Sequence, residues 1–192
     1  GTLTLNRPCI VGKNLNVLAG STLTHDGPQA TETNKLDLTV HGNVGVDLNA
    51  AMDVTGKGYA AAKGPGSGNA GGSYGGRGGG LGGGPCYGSI VAPVNLGSGG
   101  NESVGGGAIR LRVGGTLFLD GLLQANGGAS GSSGSGGSVY ITSGALRGGG
   151  VIRANGGNPL QSYVGSGGRL ALVVTNAGAD FSGFTGILSA SG

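Results

Sequence analysis

The sequence predicts an all-β protein with the fold of a single-domain right-handed parallel β-helix, built from about five short coils of three strands each. The first observation is a set of short runs in which apolar residues occupy every second position, as in Ile109, Leu111 and Val113. Such alternation is typical of strands that bury one face. The second observation is a motif, apolar-x-(Ala/Val/His)-x-Gly, that returns at residues 23–27, 52–56, 123–127, 152–156 and 188–192. Strand patterns that recur in this way are typical of stacked repeats, in which no coil buries its apolar face alone.

The predicted coils share one internal order of elements. A strand, a glycine or Asn-Gly turn, a second strand and another turn lead into the closing strand; in the third coil the turns fall at 114–115 and 120–121. Antiparallel hairpins are the alternative, because Asn-Gly and Asp-Gly also form hairpin turns. The β-helix is favoured because every coil starts and ends alike. The coils span residues 2–27, 36–56, 108–127, 138–156 and 169–192.

Glycine-rich segments separate the coils, in a chain with 50 glycines among 192 residues. The longest, residues 57–107, is an insertion into a single β-solenoid domain of residues 1–192. If the coils stack in register, all of these segments collect on one flank. We expect a polyglycine-II-like backbone there, and a mobile Gly/Ser linker is the alternative. Tyr74, Leu81 and Cys86 interrupt the glycine runs and favour order. The segments cover residues 28–35, 57–107, 129–137 and 157–168.

Charge and hydropathy argue against several kinds of partner. The net charge is only +3, with 10% charged residues, and the densest basic feature is Arg110 with Arg112. Nucleic-acid-binding proteins usually carry dense Lys and Arg clusters, so no nucleic-acid partner is expected. No apolar run reaches about 18 residues, so insertion into a membrane is not expected. Cys9 and Cys86 either form a disulfide or remain two free thiols, and the sequence leaves both interpretations open.

The sequence does not predict an enzyme. Carbohydrate-cleaving β-helices need carboxylates gathered on one face, whereas the eight carboxylates here are scattered along the chain. Asp47 and Asp120 occupy equivalent turn positions, and Asp37 alternates with leucines and should face solvent. His25 and His41 have no Cys or His at ligand spacing, so neither a metal nor a cofactor is expected.

Two sets of residues are candidates for contacts outside the chain. The triplet Asn101-Glu102-Ser103 matches the acceptor pattern for N-glycosylation and makes Asn101 a candidate glycosylation site. Tyrosine rings are suited to contact with carbohydrate, because they present an apolar face and a polar hydroxyl. The candidate ligand-contact aromatics are Tyr59, Tyr74, Tyr87 and Tyr163.

Two segments carry a resemblance to a known class of proteins. SVGGGAIRLRVGGTLFLDGLLQANGG (103–128) and SVYITSGALRGGGVIRANGG (138–157) resemble the Gly-rich repeats of large secreted, adhesin-like surface proteins of the parallel β-helix type. The resemblance is architectural and covers mainly residues 103–192. It implies an extracellular or cell-surface location and a scaffolding or adhesive role, and it transfers no functional residues.

The leading functional hypothesis is a structural subunit of an extracellular filament or cell-surface array. Neither end of the predicted stack has a capping helix, so both would expose unpaired backbone groups. Stacking the last coil on the first coil of the next copy removes both edges, and the partners are then copies of the chain in a head-to-tail homopolymer. The candidate assembly strands contain Leu3, Leu5, Leu170, Leu172 and Leu188.

Two other functions are weighed against this one. The first is an adhesin or tail-fibre module that binds surface glycans through the four tyrosines. The second is a polysaccharide-cleaving enzyme, which requires a carboxylate cluster that the predicted register does not produce. The strand-like residues at both ends are also those expected of a processed subunit or a piece of a longer chain.

Overall fold

The computed structural model describes residues 1–158 and 163–192, and in these residues it contains thirteen β-strands and no helix. Most strands are only three residues long, whereas β8 and β10 have twelve and ten. The strands are β1 (Thr2–Thr4), β2 (Cys9–Val11), β3 (Leu15–Val17), β4 (Thr22–Thr24), β5 (Leu36–Val40), β6 (Val44–Val46), β7 (Ala51–Asp53), β8 (Ala108–Leu119), β9 (Leu122–Gln124), β10 (Ser138–Arg147), β11 (Val151–Arg153), β12 (Arg169–Val174) and β13 (Ile187–Ser189).

These strands form two sheets, and every pairing between them is parallel. The six-stranded sheet has the order β1-β4-β7-β9-β11-β13. The seven-stranded sheet has the order β12-β10-β8-β5-β2, with β3 paired to β6 and β6 paired to β8. Parallel neighbours need long connections, and here the connections pass through the opposite sheet or through Gly-rich segments.

The predicted fold class, a right-handed parallel β-helix of about five short three-stranded coils, is wrong. The structure has two parallel sheets of six and seven strands with no closed barrel, and the order and sizes of its strands do not fit short three-stranded coils. The antiparallel alternative is also wrong, because every pairing is parallel.

One physical reason lies at residues 114–115, where a turn was predicted. The backbone continues there as strand β8, since Gly115 donates to the carbonyl of Gly42 (3.0 Å) and keeps the ladder intact. A glycine permits a turn but does not impose one. Strand β10 likewise runs unbroken past Gly144, with a register shift between Ser143 and Ala145.

The core lies between the inner faces of the two sheets. Strand β5 shows the pattern most clearly, since Leu36, Leu38 and Val40 point inward and are essentially inaccessible to solvent. Residues from the six-stranded sheet, such as Met52 and Leu123, complete the same apolar cluster. Alternation along short strands was therefore a correct guide to which side chains are buried.

The Gly-rich segments form a glycine layer, defined here as residues 71–79, 97–107, 127–128, 134–137, 156–157 and 165–168. It contains almost no regular strand, yet backbone hydrogen bonds join one segment to the next. Gly97 donates to Gly106 (2.8 Å), Gly106 to Ser135 (2.9 Å), and Gly136 to Ser166 (2.9 Å). The segments are thus packed against one another, unlike the mobile linker that composition also allowed.

Close approach explains why glycine occupies this layer. A Cβ atom built on Gly137 would overlap the carbonyl oxygen of Gly107, and one on Gly105 would overlap the carbonyl oxygen of Gly97. Adjacent backbones in the layer are therefore nearer to each other than chains with side chains allow.

Candidate assembly surfaces

One row of apolar side chains crosses the whole six-stranded sheet in register. Leu23, Met52, Leu123 and Ile152 occupy its middle and are buried. The row ends at Leu3 in β1 and Leu188 in β13, which are 55% and 51% exposed. The row is thus complete in the middle and lacks a neighbour at each end. Leu3 and Leu188 are thus apolar residues of the kind found in the core, but no neighbouring strand covers them in the described part of the chain. The row comprises Leu3, Leu23, Met52, Leu123, Ile152 and Leu188.

The seven-stranded sheet is open in the same way at both edges. Within the described residues, β2 pairs with β5 alone and β12 with β10 alone. Leu170 and Leu172 of β12 are only partly buried against the core, and so is Leu5 beside β1. The five predicted assembly residues therefore all lie on or beside edge strands, which leaves their role in assembly as a proposal.

The end that contains β1 is also concave. An open groove there is lined by Leu3, Leu15, Val17 and Leu23, together with other residues of β1, β3 and β4 and their neighbours. These residues belong to edge or next-to-edge strands, so the groove opens onto the core between the sheets. Backbone N–H and C=O groups on the outer sides of β1 and β13 have no strand to pair with in the described part of the chain.

A charged cluster on the outer face of the seven-stranded sheet was missed by the sequence analysis. Asp37 was expected to face solvent, yet only 8% of it is exposed. Arg110 donates to both of its carboxylate oxygens, and Arg112 donates to Asp37 and to Thr39 (2.8 Å). Parallel register places Asp37 beside Arg110, 73 residues away. Periodicity predicted the correct face, but long-range pairing decided the neighbours.

Most of the predicted ligand-contact tyrosines lie inside the structure. Tyr74 is fully buried, and Tyr59 is 8% exposed. Such rings have no free face for a sugar, so the prediction that they contact ligands is corrected here. Tyr87 is half-buried, and its hydroxyl donates to the carbonyl of Leu96 (2.5 Å). Tyr163, at 51% exposed, is the one of the four with a substantial free surface.

Tyr74 and Tyr87 form an interior polar cluster that holds the Gly-rich insertion in place. The Tyr74 hydroxyl hydrogen-bonds the hydroxyl of Ser138 at 2.7 Å, and its ring centre lies 4.7 Å from that of Tyr87. Arg169 stacks over the Tyr74 ring at 5.2 Å and donates to the carbonyl of Tyr87 (3.0 Å). Such an arrangement is a cation–π contact. Burial raises the pKa of both Tyr74 and Tyr87, so both phenols stay protonated and serve as hydrogen-bond donors.

His25 occupies the small-residue position of the first closing motif and is fully buried. The backbone N–H of Ala108 donates to its Nε2 (3.3 Å), so its Nδ1 carries the proton and donates to the carbonyl of Asp26 (2.9 Å). This pattern requires a neutral imidazole. Burial lowers the pKa of His25 below its ordinary value, and nearby Lys57 acts in the same direction.

The remaining candidate positions lie apart from one another. Cys9 in β2 and Cys86 in the Gly-rich insertion are both free thiols, the first half-buried and the second exposed. Asn101 is exposed, as a glycosylation acceptor must be, while Ser103 beside it is buried. Its glycosylation stays a prediction.

Residues 1–158 and 163–192 contain no group of three or more His, Cys, Asp or Glu side chains placed to hold a metal ion. They also contain no helix with the length and apolarity needed to cross a bilayer.

Comparison with known proteins adds nothing to this geometry. No protein-family model, curated protein or solved structure matches the chain.

Proposed function

We propose that this protein is a structural subunit of an extracellular filament or cell-surface array, and that its copies join head-to-tail through the open edges of the six-stranded sheet. The observation that carries the proposal is the apolar row of the six-stranded sheet. Its four middle residues are buried, whereas Leu3 and Leu188 at its ends are more than half exposed. One more strand at either end would bury them.

A second copy of the chain supplies such a strand. Every neighbour in the six-stranded sheet is parallel and in register, so β1 of one copy fits on β13 of another by the pairing already repeated five times within the sheet. The contact would satisfy unpaired backbone groups on both edges. It joins two different surfaces, so each copy keeps one free edge for the next, and the contact propagates into a fibre when the rotation between copies does not close a ring.

The six-stranded sheet extends beyond the seven-stranded sheet at the β1 end. This difference decides which sheet makes the contact between copies. In chain order, β4, β7, β9, β11 and β13 each have a counterpart in the other sheet, whereas β1 precedes them all and has none. The six-stranded sheet therefore extends one strand further. When β1 meets β13, the free edges of β2 and β12 are left about 10 Å apart, which is two strand spacings. The joint is therefore made by the six-stranded sheet.

The experiment compares scattering of the unmodified chain with two charge variants. We expect the mean particle mass to rise with protein concentration, and Leu3→Asp or Leu188→Asp to abolish the rise, because a carboxylate cannot be buried unpaired at the joint. Leu48→Asp is the matched control: Leu48 is 68% exposed but lies outside the edge strands, so association should persist. An unmodified chain that stays monomeric at all concentrations would overturn the proposal.

A further inference from the structure

The carboxylate of Glu32 joins two distant segments of the chain. Oε1 of Glu32 lies 2.5 Å from Nζ of Lys35. Both oxygens accept hydrogen bonds from Nδ2 of Asn95, at 3.2 Å each. Asn95 is 63 residues from Glu32, in the last part of the Gly-rich insertion. A lysine amine and an asparagine carboxamide are thus held on one carboxylate.

The surroundings restrict the movement of these groups. The side chain of Glu32 is 19% exposed and that of Lys35 is 28% exposed. The buried Tyr59 donates its hydroxyl to Oε2 of Glu32 at 3.2 Å and fixes the carboxylate from the other side. Among the described residues, Lys35 is the one lysine that forms an ion pair.

These three groups have the chemistry of intramolecular amide formation. A lysine amine is a nucleophile, and a carboxamide is an acyl group whose leaving group is ammonia. A carboxylate in contact with both nitrogens can take a proton from the nucleophile and give it to the leaving nitrogen. Both nitrogens contact the same oxygen, Oε1 of Glu32, and this shared contact raises the effective concentration of the amine near the carboxamide.

We propose that Lys35 and Asn95 form an isopeptide bond, with Glu32 as the proton carrier. Nζ of Lys35 attacks Cγ of Asn95, and the bond from Nζ to Cγ forms. Glu32 carries two protons in turn from Nζ to Nδ2: removal of the first frees the amine for attack, and the second leaves the nitrogen of the new amide. The bond from Cγ to Nδ2 then breaks. The lysine ammonium and the carboxamide become a secondary amide and an ammonium ion, so neither an oxidant nor a second substrate is needed.

The bond would give the chain a covalent crosslink that its cysteines do not provide. It ties the segment before β5 to the end of the Gly-rich insertion, close to the interior cluster formed by Tyr74 and Tyr87. It does not depend on the proposed assembly, because all of the reacting groups belong to one copy.

Intact-mass spectrometry of the purified chain tests the proposal. The expected mass is about 17 Da below that of the sequence, the mass of one ammonia. A succinimide at an Asn-Gly step gives the same loss, so proteolysis must also yield one branched peptide joining Lys35 to Asn95. A full sequence mass, or a deficit that maps elsewhere, would overturn the proposal.

Variants assign the roles of the three residues. Lys35→Arg keeps the positive charge but provides no amine, and Glu32→Gln keeps the shape but removes the proton carrier; both should show the full mass of their sequences. Lys63→Arg is the control and should keep the deficit, since Lys63 is exposed and outside the cluster. A thermal scan confirms that each variant is folded. A folded Lys35→Arg chain that still carries the branched peptide would contradict the assignment.

Discussion

At the scale of single residues, His25 shows how a polar side chain can be part of the interior. Its two ring nitrogens bridge the backbone of Asp26 and Ala108, and this requires the neutral ring. The charged groups that influence it are Lys57 and Lys35, which disfavour the imidazolium, and Asp26, which favours it. Burial is the largest effect and lowers the pKa.

We therefore predict that the free energy of unfolding falls as the pH drops below about 6.5, the ordinary pKa of histidine. The folded pKa lies below the unfolded one, so unfolding takes up a proton in this range, with a slope of up to about 1.4 kcal/mol per pH unit. Urea titrations between pH 7.5 and pH 5 measure it. His25→Gln should flatten the slope, whereas the exposed His41→Gln should not. An unchanged slope in the His25 variant would contradict this interpretation.

A second prediction at this scale concerns the stability of a substitution at Gly137. In Gly137→Ala the new methyl group would overlap the carbonyl of Gly107, and overpacking of this kind costs about 1–3 kcal/mol. Gly12→Ala is the matched control, because no atom lies within 4 Å of its added Cβ, and its effect should stay within about 0.5 kcal/mol. Chemical denaturation of both variants measures the difference. Equal stabilities would show that the glycine layer is looser than described.

At the scale of elements, the long Gly-rich insertion is held by side chains that interrupt its glycines. Tyr74 is the clearest of these, since its hydroxyl reaches Ser138 in β10 and its ring lies under Arg169 at the start of β12. The insertion is thereby fixed to the seven-stranded sheet at several points.

We predict that Tyr74→Phe lowers the free energy of unfolding by about 1 kcal/mol, the net value of one hydrogen bond. Hydrogen exchange should become faster in residues 71–79, where the insertion loses this contact. Tyr163→Phe, at an exposed ring, should change neither quantity. Faster exchange throughout the molecule, with no local effect, would argue against an anchoring role for Tyr74.

At the scale of the whole molecule, the six-stranded sheet determines the dimension of the proposed filament. Six strands at a spacing of about 4.8 Å give a rise of about 29 Å per subunit when β1 joins β13. Electron micrographs or fibre diffraction should show this axial repeat together with a reflection near 4.8 Å. A fibre with twice this repeat would indicate back-to-back pairs and contradict the head-to-tail contact.

The sequence by itself identified many of the strand residues and the buried positions of the central strands. Leu36, Leu38, Ile109 and Leu111 alternate with polar residues, and the structure buries all four. Burial of alternate residues follows from the period of a strand, which is a local property. The five closing motifs likewise contribute five of the six strands of the six-stranded sheet, and their first apolar residues form its continuous row together with Leu3 of β1.

Only the tertiary structure decided how these strands combine. It made one strand of Ala108–Leu119 where a turn at Gly114 was predicted, placed Tyr74 inside, and brought Asp37 to Arg110 and Glu32 to Asn95. Glycine permits both turn and extended backbone, so its conformation depends on the hydrogen-bond partners that approach it. Those partners lie tens of residues away in sequence, beyond the range of any local pattern.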